Sequence, residues 1–137
     1  MKYLMSTIGV LFLLMTAALA DEQHAGKRFV ATIDKDGYQR VEMTAGEYYF
    51  DPSDVVVKVN VPVELTIKKV GGITPHNLTM KAPEAGLDFA IDLSGEPKKV
   101  TFMATKTGTY PFECSKKLLF FKSHKDRGMH GVLEVVE

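Results

Sequence analysis

No stretch of this chain sustains a helical period, whereas apolar and polar residues alternate with period two at several places along it. The pattern is clearest where Val63, Leu65 and Ile67 alternate with Glu64, Thr66 and Lys68, and where Val100 and Phe102 alternate with Thr101 and Met103. Such alternation sends one set of side chains inward and the other to solvent. β-Branched and aromatic segments predict strands near Arg28–Ile33, Tyr38–Met43, Glu47–Phe50, Val55–Val59, Val63–Val70, Asn77–Met80, Phe89–Leu93, Lys98–Ala104, Thr109–Cys114 and Val132–Val136. Asp36-Gly37, Gly71-Gly72 and Ser94-Gly95 supply turn signals between them. Many short strands at close spacing predict an all-β chain, an antiparallel sandwich or barrel. Met43, Met80 and Met103 are expected to pack within it, and the breaker-free run 116–122 is compatible with a short turn of helix.

The first twenty residues stand apart. Lys2 is followed by an uncharged apolar run, Ile8 to Ala20, which closes on Ala18-Leu19-Ala20. That is the layout of an export signal cut after Ala20, which makes residues 1–20 a leader and 21–137 the single working domain. The run falls short of the roughly 20 residues a membrane span needs. A periplasmic protein without stable membrane insertion is therefore expected. Beyond the leader, sixteen basic residues face seventeen acidic ones. This balance excludes the basic surface on which general nucleic-acid binding depends.

One cysteine cannot close an internal disulfide, and an exposed thiol is a liability in an oxidising compartment. Cys114 is therefore buried and inert, paired between chains, or held by a ligand. It ends the segment Gly108-Thr-Tyr-Pro-Phe-Glu-Cys114; after nine intervening residues comes His124-Lys-Asp-Arg-Gly-Met129, and far upstream stands Pro75-His76-Asn77. Two imidazoles, a thiolate and a thioether form the donor set of a mononuclear copper site that shuttles single electrons. Soft sulfur favours Cu(I), imidazole suits both oxidation states, and a weak axial thioether tunes the potential.

Each residue alone is weak evidence, since a core cysteine is more often a small hydrophobe and a methionine usually packs. The ordered combination carries the reading. A nucleophilic pair of Cys114 and His124 leaves Met129 unexplained, and no oxyanion-forming loop is evident. Zinc accepts Cys and His but gives methionine no role, and a dinuclear copper centre lacks its second cysteine. Strand alternation points His130 away from Met129 and Glu113 away from Cys114. His24, fourth after Ala20, misses the third position of an N-terminal copper clamp.

With these motifs in place, the chain resembles the cupredoxins, small plastocyanin- and azurin-like blue-copper proteins. Glu47-Tyr-Tyr-Phe-Asp-Pro52 with Val55–Val59 resembles that family's early strands, and Pro75-His76-Asn77 its first-ligand motif. Gly108–Cys114 is similar to its cysteine-bearing strand, and His124–Leu133 to its closing ligand loop and last strand. The resemblance covers roughly residues 45–137. It implies a Greek-key β-sandwich or barrel of about eight strands holding one mononuclear copper ion. His76, Cys114, His124 and Met129 would be its ligands, with Met129 axial. It also implies that the Asn77 backbone N–H donates to the Cys114 sulfur while the Asn77 side chain pins the ligand loop.

The sequence departs from the family at one place. Nine residues separate Cys114 from His124, where the family usually has only a few. In this insert Leu118, Leu119, Phe120 and Phe121 either fold back over the metal or form a docking patch. Lys116, Lys117, Lys122, Lys125 and Arg127 concentrate positive charge there, which could steer an acidic partner. The resemblance implies an electron carrier that is not itself an enzyme, because four protein ligands leave no open position for a substrate. Its electrons would leave through His124, the ligand expected nearest solvent. A redox partner such as a cytochrome or copper oxidoreductase would dock near Leu118–Phe121 and Lys116, Lys117 and Lys122. The alternative is a copper-tolerance or copper-handling protein.

Overall fold

The computed structural model describes residues 26–117 and 121–137. The proposed leader, His24, Leu118, Leu119 and Phe120 therefore lie outside the described residues. Ten strands form in the order β1 (Arg28–Val30), β2 (Gln39–Gly46), β3 (Tyr49–Asp51), β4 (Asp54–Lys58), β5 (Val63–Lys69), β6 (Asn77–Ala82), β7 (Leu87–Asp92), β8 (Lys98–Phe102), β9 (Gly108–Glu113) and β10 (His130–Val136). A single 3-10 turn, Pro83–Ala85, joins β6 to β7, and no α-helix occurs among the described residues. The all-β expectation holds. Two strands beyond the expected eight are accounted for by β1 and β3, which are only three residues each.

Six strands make one sheet, in the order β1-β4-β10-β9-β6-β7, and four make the other, β3-β2-β5-β8. β8 falls between β7 and β9 in sequence yet lies in the opposite sheet, so the chain crosses the sandwich before returning beside β6. This is the Greek-key crossover. The sheets are not purely antiparallel, as the strand pattern had predicted: β1 runs parallel to β4, β4 to β10, and β2 to β5. Alternation reports which face of a strand is buried but carries no information about the direction of its partner.

The inward-facing set of β5 is fully buried, with Val63, Leu65 and Ile67 at 0, 5 and 0 % exposure. They pack with Val41 and Met43 from β2, Leu78 and Met80 from β6, Phe112 from β9, and Leu133 and Val135 from β10. Burying each such side chain contributes about 1.5–3 kcal/mol. Met103 does not join them. It follows the end of β8, an edge strand, and is exposed. A buried polar residue helps tie the sheets together: Gln39 accepts from the Lys58 backbone N–H (2.7 Å) and donates to the Lys58 and Val61 carbonyls (3.1 and 3.2 Å).

Candidate metal centre

Strand register brings the predicted residues to one end of the six-stranded sheet. Thr79 on β6 pairs with Glu113 on β9, so Asn77 and His76 lie beside the residues that follow β9, starting with Cys114. His130 on β10 also pairs with Glu113, which sets Met129 opposite Cys114. The Cys114 N–H accordingly donates to the Met129 carbonyl at 3.0 Å. Room for this close approach comes from Gly131: a Cβ there would overlap the Phe112 ring and the Ser53 carbonyl.

Three donor atoms converge in the interior. His76 Nδ1 and His124 Nδ1 are 3.1 Å apart, Cys114 Sγ is 3.4 Å from His124 Nδ1, and it is 3.9 Å from His76 Nδ1. The centre of that triangle is about 2 Å from each corner, within the roughly 2.0–2.3 Å range at which imidazole nitrogen and thiolate sulfur bind a small transition-metal ion. The donor set therefore fits a metal by size as well as by type. Cys114 and Met129 are fully buried, and His76 and His124 are 1 and 2 % exposed. Neither ring presents an open edge; His124, expected nearest solvent, is the most exposed of the four predicted ligands, but at only 2 %.

Asn77 occupies both expected positions. Its backbone N–H points at Cys114 Sγ (3.4 Å), its side-chain N–H donates to Ser115 Oγ (2.8 Å), and its side-chain oxygen accepts from the Ser115 N–H (2.8 Å). Met129 is stitched to both neighbours through its backbone, since its own N–H donates to the His124 carbonyl at 3.0 Å. Burial holds both imidazoles below the usual histidine range. The next causes are the positive neighbours, His124 acting on His76 and Arg127 acting on His124. Both rings are thus kept neutral, the form in which a histidine nitrogen binds metal.

His130 is exposed and Glu113 is directed to Lys125 (2.7 Å), so both point away as strand alternation requires. Sequence reasoning missed three neighbours. Tyr48, at φ 62° in the turn between β2 and β3, sets its ring edge-on to both imidazoles, 5.8 Å from His76 and 5.2 Å from His124. Arg127 lies over that ring at 4.8 Å, a cation–π contact. Glu47 brings Oε1 to 3.8 Å from His76 Nε2, beyond hydrogen-bonding reach. These residues had been read as strand or loop, and no spacing rule links a hairpin turn to a distant ligand.

The insert is pinched at its base. The His124 N–H donates to the Lys116 carbonyl at 3.0 Å, which joins the two ends of the insert. No helix forms among its described residues, and the turn lies instead at 124–128. Phe121 is 57 % exposed and does not fold over the donors. The positive patch is weaker than its sequence suggested, because Lys116 pairs with Asp92 (3.0 Å) and Lys125 with Glu113 (2.7 Å).

A two-sheet sandwich with a buried Cys-His-His triangle at one end defines a metal-binding β domain. A family model for the cupredoxin-like domain matches residues 8–133, and the chain belongs to that family. Solved structures share the fold at low identity. The metal-binding domain of the Cu(I)-exporting P-type ATPase CopA of Streptococcus pneumoniae D39, solved with Cu(I), is 17 % identical at a TM-score of 0.62, covering 81 % of this chain and 97 % of that one. Dithionite-reduced auracyanin from the photosynthetic bacterium Roseiflexus castenholzii is 22 % identical at 0.58, covering 78 and 99 %. The periplasmic domain of cytochrome oxidase subunit II from Bradyrhizobium japonicum is 21 % identical at 0.52, covering 72 and 83 %. Comparison with curated proteins by sequence gives no match.

Proposed function

We propose that the protein binds one copper ion, which His76, Cys114 and His124 would hold with the Met129 thioether as a fourth donor, and passes single electrons between redox partners in the periplasm. The observation that carries this reading is the buried triangle of two Nδ1 atoms and one Sγ. When bound, copper supplies a one-electron Cu(I)/Cu(II) couple, and thiolate with imidazole accommodates both states. The chain's own residues do the rest. Asn77 directs its N–H at the sulfur, Ser115 locks Asn77 in place, and the Tyr48 ring packs against the two imidazoles. Four protein donors leave no place for a substrate, so the protein is not an enzyme by itself. Residues 1–20 act as its export signal. No helix among the described residues is long and apolar enough to cross a membrane.

The test is the visible and EPR spectrum of the copper-loaded protein. A strong thiolate-to-Cu(II) charge-transfer band that disappears in Cys114→Ser is the expected result. A colourless Cu(II) adduct indifferent to Cys114 would overturn the reading.

One observation favours copper handling as the second reading: both imidazoles are almost wholly buried, which suits retention of an ion more than rapid exchange of electrons. The neighbour solved with Cu(I) belongs to an exporter rather than an electron carrier. Self-exchange measurements decide between the two. A carrier exchanges electrons quickly and is reduced by a cytochrome. A handling protein does neither, and its deletion causes copper sensitivity without a respiratory defect.

A further inference from the structure

The side of His76 that faces away from the sulfur has an unmet demand. With Nδ1 given to a metal, or accepting from His124 Nδ1–H across their 3.1 Å contact, the proton of a neutral His76 ring belongs on Nε2, which must then donate a hydrogen bond. That Nε2 is buried and has no hydrogen-bond partner. Leaving a buried group of this kind unsatisfied destabilises the fold, so an acceptor within reach is favoured. Lys69, on the same side, cannot accept the proton, and its Nζ already donates to the Thr74 carbonyl (3.0 Å). The carboxylate of Glu47 can accept it, with Oε1 3.8 Å away.

Two features of the backbone hold Glu47 in this place. It sits next to Tyr48, whose φ of 62° turns the chain between β2 and β3 at the metal end of the sandwich. Across from it, Gly72 at φ 66° supplies the space, since a Cβ on Gly72 would overlap Glu47 Oε1. The Glu47 side chain is 46 % exposed. Closing the gap to hydrogen-bonding distance takes a movement of roughly 1 Å, which is small for a half-exposed chain with three rotatable bonds.

We infer that Glu47 is a positioning residue of the metal centre: it accepts the Nε2–H of His76, holds Nδ1 toward the metal, and adds a negative charge that favours the more oxidised ion. The inference rests on the reading that His76 binds copper. Ligating histidines in general donate their second N–H to an acceptor that fixes the ring and raises its basicity. A carboxylate in that position, unlike a carbonyl, adds a full charge. Because the Glu47 side chain is half-exposed, solvent screens part of that charge, and its effect on the metal is correspondingly modest.

Two measurements test the inference, one of them without copper. In the metal-free protein at pH 8, nitrogen NMR should find His76 protonated at Nε2, and Glu47→Ala should convert it to a tautomer mixture. In the copper-loaded protein, Glu47→Gln should keep the Cys114-dependent band. It should also shift the preference toward Cu(I) about tenfold, which raises the potential by about 59 mV for a one-electron couple. Glu47→Ala should do the same and also weaken copper binding, with the circular dichroism of the fold unchanged. If the band is present and both variants leave the potential and the tautomer as in the native protein, the role of Glu47 is overturned while the copper site stands. If the native protein lacks the Cys114-dependent band, the underlying reading fails and this inference falls with it.

Discussion

The two histidines of the centre reach the same burial by different routes. His76 stands at the head of a strand: its carbonyl accepts from the Leu93 N–H (3.0 Å), and its neighbour Asn77 is tied to Ser115 by two bonds of 2.8 Å. His124 stands in a nest of turns built from local bonds. The Arg127 N–H reaches both the Ser123 and His124 carbonyls (3.2 Å each), Gly128 reaches Lys125 (2.9 Å), and Met129 reaches His124 (3.0 Å). One half is fixed by long-range sheet pairing, the other by chain neighbours. The bonds that fix the second half join residues 123–129 to one another, and a further tie closes the insert at Lys116.

The sharpest way to break this contrast is to cut the link between the halves. Asn77→Ala removes both bonds to Ser115 and leaves a Ser115 N–H unpaired, so the metal-free protein should lose about 2 kcal/mol of unfolding free energy in urea. An unchanged midpoint would show that the strand-held half does not depend on that tie. Next in size, Met129→Leu should keep the colour of the copper protein and raise its potential by about 60 mV, a tenfold change in preference. No change in spectrum or potential would remove Met129 from the ligand set.

Acidification gives a gentler test of both rings. Burial keeps the folded-state pKa of His76 and of His124 below that of an unfolded histidine, near 6.5. The unfolded chain therefore binds more protons as pH drops below that value, and metal-free stability should fall with it and be fully present above it. His76→Gln and His124→Gln should each flatten the slope of midpoint against pH. If one of them does not, its half of the site is not buried as described. The smallest effect is expected from excising residues 118–121, since the Lys116–His124 bond joins the chain on either side of them. The change in stability should stay within about 0.6 kcal/mol, the scale of a twofold change in loop length, and the copper band should persist. Loss of the band would show that the insert shields the metal.

Much of this was legible in the sequence because the relevant physics is local. β-Branched and aromatic segments bounded by turn signals located all ten strands to within a few residues, and β5 buries the three side chains its alternation nominated. His76, Cys114 and His124 were recoverable as a set because soft and borderline donors in that order have few other uses. The parallel pairings of β1, β2, β4, β5 and β10 were not legible, since strand direction follows from crossovers that leave no mark on side-chain pattern. Glu47, Tyr48 and Arg127 were missed for a related reason: a turn delivers each to the site, and neither turn shows a periodicity. The burial of His124 was not legible either, since the sequence leaves open whether the insert covers the metal, and the bond from the His124 N–H to the Lys116 carbonyl shows only in the structure.

The place of β10 has a consequence for how the site is completed. It is an interior strand of the larger sheet, paired with β4 on one side and β9 on the other, and its Glu134 is gripped by Arg28 at 2.7 and 2.9 Å. Until it pairs, β4 and β9 each present an unpaired edge, and Met129 is not yet opposite Cys114. The sheet and the metal-binding pocket are therefore completed together, because the pairing that fills the gap between β4 and β9 is the one that brings Met129 to the site.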